Sequence, residues 1–178
     1  MNPNEIRVRL EDCDVAWDLL SELDNQDRRF RLKERRGAMN TTNVAGAKLE
    51  IEVITLPVGD IERALRFYGH QVGFTLDVDY SPNDAFRVIQ LTPPGSSCSI
   101  PIGRGLTDAP IGSLRNIYLI VADIEAARSR LLERGVKVGE IRHKVPVDAW
   151  NGSFASGLNP ARADYTSFAD FSDPDGNR

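Results

Sequence analysis

The sequence is poor in the residues that most often do chemistry. Two histidines, two cysteines, two methionines and two tryptophans are spread over 178 residues. Cys13 and Cys98 lie far apart and form no CxxC pair, which argues against a disulfide framework or a zinc knuckle and for reduced thiols. No run of about 18 apolar residues occurs, and the acidic first twenty residues do not read as a signal peptide, so the expected compartment is the cytoplasm. A net charge of −4 gives no overall attraction to nucleic acid or to an anionic membrane, and neither is an expected partner. With 41% apolar residues the chain has enough material for one domain or two small modules with a core.

What the chain does contain is one unit written twice. The stretch LEIEVITLPVGDIERALRFYGHQVGF, residues 49–74, returns as LRNIYLIVADIEAARSRLLERGV, residues 114–136. Val58, Asp60, Ile61, Glu62 and Ala64 answer to Val121, Asp123, Ile124, Glu125 and Ala127, each 63 positions on. In both copies an apolar, β-branched run predicts a strand and stops at an Asp able to accept free N–H groups of a helix's first turn. Ile61, Ala64, Leu65 and Tyr68, and again Ile124, Ala127 and Leu131, then recur at helical spacing. Gly73 and Gly135 stand where a left-handed residue ends a helix. Both aspartates therefore read as caps rather than catalytic carboxylates.

Residues 1–48 stand outside the repeat. Val15, Leu19 and Leu23, with Trp17 and Leu20, predict an amphipathic helix from about Asp14, acidic at its start and basic at its end as the helix dipole favours. Residues 37–48 (GAMNTTNVAGAK) read as a linker, and a start at Met39 would leave the first module whole. Beyond the first helix, strands are expected at 74–80, 85–92 and 97–103, with turns at 81–84 and 93–96. Residues 104–113 bridge to the second module, where strands are expected at 114–121, 137–144 and 165–171. A long loop, 145–164, carries Trp150 and Phe154 and suits a lid or binding element.

This order of elements, closing on FADFSDPDGN, resembles the vicinal oxygen chelate superfamily of glyoxalase I, bleomycin-resistance proteins and extradiol dioxygenases. The carrying stretches are LPVGDIERALRFYGHQVGF, VADIEAARSRLLERGV and FADFSDPDGN, with FRVIQLTPPGSSCSIPIG similar to small members of the group. The resemblance implies an α+β fold: two tandem β-α-β-β-β modules, 49–105 and 113–178, form a curled mixed sheet around a pocket behind an N-terminal helical extension. The last strand, which would follow Arg178, is missing from this pattern. An unpaired edge would result, and truncation, the extension or a second copy of the chain would each explain it. Homodimerisation is the expectation the resemblance favours.

Metal-dependent members place His, Glu or Gln on the first and last strands of each module. At those positions this chain has Val53, Ser99 or Pro101, and Asn116, and the fourth would lie beyond Arg178. No metal set is assembled, since a divalent ion needs several convergent donors. His70 reads as complementing a helix C-terminus, and His143, beside the long loop, is the candidate for acid/base work. Cys98 reads as a small core residue. The expected function is a metal-free pocket for a small organic molecule, without cofactor, lined by Val53, Thr55, Arg87, Ser99, Asn116, Tyr118 and Trp150. Val53 with Thr55, and Asn116 with Tyr118, share strand faces by alternation, and Arg87 is placed to meet an anion. Two alternatives remain open. One is a metal-dependent lyase, isomerase or dioxygenase; the other is an interaction protein acting through the N-terminal helix.

Overall fold

The computed structural model describes residues 50–178. The amphipathic helix, the linker and Met39 lie outside them. Helix α1 spans Ile61–Leu65 and continues as a wider π-helical stretch, Arg66–Val72. Strands β1 (Thr75–Asn83), β2 (Phe86–Thr92) and β3 (Ile100–Arg104) form an antiparallel sheet in that order. Residues 52–56 run parallel to the far side of β3, with Ser99 N–H donating to Glu52 O, and Ile54 and Leu56 N–H donating to Ser99 O and Pro101 O. Helix α2 (Ile124–Glu133) leads to a second antiparallel sheet in which β4 (Arg142–Lys144) lies between β5 (Phe154–Ser156) and β6 (Ser167–Phe168). Among the described residues no helix is long and apolar enough to cross a membrane.

The repeat's punctuation is realised in space. Asp60 Oδ1 accepts from Arg63 N–H and Asp123 Oδ1 from Ala126 N–H, both at 2.9 Å. Gly73 (φ 92°) and Gly135 (φ 81°) adopt the left-handed conformation, which costs a residue without Cβ little. The core lies between α1 with its π-helical continuation and one face of the first sheet. Ile89 and Leu91 of β2, directly opposite Ile102 and Ile100 of β3, bury that face against Ala64, Phe67 and Tyr68. Val136 and Val138 join the same core, whereas α2 contributes no buried residue.

Four expectations change. The first turn falls at Asp84 and Ala85 rather than at 81–84, because Asn83 Oδ1 accepts from both Ala85 and Phe86 N–H, and β1 carries Ser81 and Pro82 through an irregular register. The loop 145–164 is broken by β5, so its first part is the connection of a hairpin. The strands expected at 137–144 and 165–171 shorten to β4 and β6, although Gly139 N–H still reaches Asp170 O. Residues 114–121 form no strand. Asn116 has φ 64°, and the backbone bonds here join only Leu114 and Ile117 to Arg178.

The turn at 173–177 ties the described halves together. The Asp173 carboxylate accepts from Tyr68 Oη at 3.0 Å, from Asn177 Nδ2 and from the backbone N–H groups of Asp175 and Asn177. Asn177 Nδ2 also donates to Pro57 O, which accepts as well from Gly112 N–H. Arg63 pairs with Asp175 at 2.6 Å. Gly112, at φ 66°, passes so near that an added Cβ would stand 1.9 Å from Asp175 O. Backbone cannot retreat as a flexible side chain can, so Gly112→Ala is expected to cost at least about 3 kcal/mol, read as a lower urea midpoint or loss of cooperative unfolding.

Burial pushes the Tyr68 phenol well above its ordinary value, and the Asp173 carboxylate beside it adds to the shift. A folded value above the unfolded one means that the stabilisation is complete below the ordinary tyrosine value of about 10 and declines as pH rises beyond it. Tyr68→Phe should therefore be less stable than the parent at neutral pH by about 1–3 kcal/mol and show a flatter decline above pH ~10, measured by urea unfolding across that range.

Candidate functional site

Register decides which side chains share a face in the second sheet. Lys144 stands opposite Phe154, and Arg142 stands opposite both Ser156 and Phe168, so Arg142, Lys144, Phe154 and Phe168 point to one side. His143, opposite Ala155 and Ser167, points to the other.

The shared face is aromatic. Tyr118, Phe168, Phe154 and Trp150 form a chain of edge-to-face rings with centroids 6.4, 5.8 and 5.3 Å apart. Trp150 belongs to the β4–β5 connection, where its Nε1 donates to Ser153 O at 2.8 Å and fixes the indole over Phe154. Two cations lie against the rings. Arg142 Cζ is 4.0 Å from the Phe154 centroid, and Lys144 Nζ is 5.0 and 5.3 Å from those of Trp150 and Phe168. Arg142 also pairs with Asp170 at 2.6 Å, and Arg178 meets the same carboxylate. Tyr118 and Trp150 remain 70% and 44% exposed, so the rings are open to solvent.

The remaining sequence-selected residues fall into separate places. Val53 and Ser99 are bridge partners at the edge of the first sheet, and Thr55 follows Val53 on the same face. Ser99 is buried, with its Oγ 2.6 Å from Thr92 Oγ1, which donates to Asp77. Arg87 lies on the opposite, helix-facing side of that sheet with Ile89 and Leu91. It is held by Asp79 through two nitrogens at 2.8–2.9 Å and by Glu62 at 2.5 Å. The bond from Arg87 holds the Asp79 carboxyl below its usual range. Asn116 is exposed on the irregular segment, and only Tyr118 and Trp150 of the selected set join the ring cluster.

His143 Nδ1 donates to Gly157 O at 2.9 Å, and among the described residues its ring has no hydrogen bond or ion pair with a carboxylate. His70 lies in the last turn of the π-helical stretch and is exposed. Burial, with the Glu52 carboxylate, pushes the Cys98 thiol up, which keeps it protonated rather than nucleophilic. Phe168 and Lys144 were not singled out from the sequence; the alternation of Arg142 with Lys144 was the available signal.

The residues present do not fit a divalent metal of the kind the resemblance implies. Val53 has no donor atom, the Ser99 hydroxyl is engaged with Thr92, and the single amide of Asn116 stands on an exposed segment. Among the described residues no group of three or more His, Cys, Asp or Glu side chains converges to hold an ion.

Comparison with known proteins places the fold in a family. The family model of the Glyoxalase/Bleomycin resistance protein/Dioxygenase superfamily matches residues 50–178. TnmS3, an antibiotic binding protein from Streptomyces sp. CB03234, is 33% identical, with 74% of this chain and 92% of that one covered and a TM-score of 0.55. A glyoxalase/bleomycin resistance protein from Streptomyces sp. CB03234 is also 33% identical, with coverage of 72% and 95% and a TM-score of 0.53. A superfamily member from Sphaerobacter thermophilus DSM 20745 is 28% identical, with coverage of 73% and 93% and a TM-score of 0.50. No curated protein matches the sequence.

Proposed function

The chain belongs to the glyoxalase/bleomycin resistance protein/dioxygenase superfamily, and from that premise we propose that it is a binding member, holding a small organic molecule without a metal. The observation that carries this reading is the ring cluster of Tyr118, Trp150, Phe154 and Phe168 on one face of the second sheet. Small-molecule sites are built largely from such aromatic walls with a few orienting polar groups. The unsuitable donor set favours binding over metal-assisted chemistry. The likeness to an antibiotic binding protein at 33% identity supports a ligand of that general kind. In this reading residues 49–178 are the binding domain and residues 1–48 an extension to it.

Titration with a panel of aromatic antibiotics is expected to quench the fluorescence of Trp150, with the Trp150→Phe variant reporting the contribution of Trp17. Phe168→Ala should weaken the best binder about tenfold, as expected for losing one stacking wall. Protein purified without chelator or metal-affinity tag should contain no stoichiometric divalent metal. About one ion per chain would instead favour the lyase, isomerase or dioxygenase chemistry of the superfamily.

The same reading includes a homodimer. Tyr118, Leu119, Ile120 and Val121 are all exposed, Ile120 at 77%, and lie in none of the described strands. A contiguous apolar patch of this kind suits burial against a second copy. Native mass spectrometry should find a dimer that Ile120→Asp converts to monomer, and a monomeric parent at tens of micromolar would remove the idea.

A further inference from the structure

Lys144 differs from the other cations around the ring cluster. Arg142 on the same face is neutralised by Asp170, and across the described residues Arg63, Arg87, Arg128, Arg162 and Arg178 each meet a carboxylate. Lys144 is half-buried, yet among the described residues its ammonium has no carboxylate within 4.0 Å and no hydrogen bond from Nζ; it rests against the Trp150 and Phe168 rings alone. Ring faces attract a cation but accept none of its three N–H bonds in the way an oxygen does. An anionic oxygen would supply the charge-assisted acceptor that the rings lack.

Resting on the proposed binding function, we infer that the ligand is a planar aromatic molecule bearing a negative charge, its rings against Trp150 and Phe168 and its anionic oxygen on Lys144 Nζ. The geometry separates this class from its neighbours. A cationic aromatic would meet Lys144 as a like charge, and a neutral one would forgo the charge-assisted hydrogen bond. The spacing of the two functions is also fixed, since Lys144 Nζ lies 5.0 and 5.3 Å from the Trp150 and Phe168 centroids. The anion and the ring contact are therefore required within one side chain's reach of each other.

The test is calorimetric titration of the full chain with naphthalene-2-carboxylate and with naphthalene-2-carboxamide, which share a ring system and differ in charge. The carboxylate is expected to bind about tenfold more tightly, the size of one charge-assisted hydrogen bond. Lys144→Met should bring the two within about twofold, and Lys144→Arg should keep the preference, with circular dichroism matching the parent. Equal affinities in the parent, or a preference untouched by Lys144→Met, overturn the inference while leaving the binding function standing. Failure of both compounds to bind overturns the two together.

Discussion

The carboxylate of Asp173 collects donors from parts of the chain that are otherwise far apart. Tyr68 reaches it from the π-helical stretch, Asn177 from the closing turn, and two backbone N–H groups from between them. Each donor satisfies an oxygen that burial would otherwise strand, so the group is stabilising only while the set is complete. Asn177 passes the connection on to Pro57 O, and Gly112 closes it from the bridge between the modules. The DPDGN sequence is thus a tertiary joint, built by a turn whose Pro and Gly set the backbone and whose acid faces inward.

Around that joint the described residues divide their labour. Most of the buried apolar side chains lie in the first module, while the second presents an exposed helix, a short three-stranded sheet and an open row of rings. Few buried contacts and short hydrogen-bonded ladders are the features of segments that open at low cost, and ligand-binding elements are commonly drawn from them. The polar groups follow the same division. Arg87 is consumed in fastening β1 to α1, and the cations facing the rings belong to β4.

Local chemistry was legible in the sequence where the cause was local. An Asp before a helical stripe and a Gly after it act within one turn, and Asp60, Asp123, Gly73 and Gly135 are where the repeat puts them. Residues 114–121 have the composition of a strand, yet a strand exists only through a neighbour's hydrogen bonds, and alternation along one segment says nothing about its partners. The site was half readable for the same reason. Tyr118 and Trp150 stand out as aromatic residues in distinctive stretches, but the meeting of Lys144 with Phe168 depends on β4 pairing on both sides. Arg87 was more readable than its selection as a pocket residue allowed: it alternates with Ile89 and Leu91 and shares their helix-facing side.

The small hydroxyl chain at the edge of the first sheet has a direction. Thr92 owns one proton and gives it to Asp77, so the short contact between Thr92 and Ser99 must be made with the proton of Ser99. Ser99 is left with lone pairs and nothing to donate, although serine is ordinarily able to do either. The wiring turns a residue of ambiguous polarity into a pure acceptor. Val53, its bridge partner, adds a side chain with neither capacity. Proton ownership along this rim is thereby fixed: Thr92 spends its one proton on Asp77, and Ser99 spends its one on Thr92.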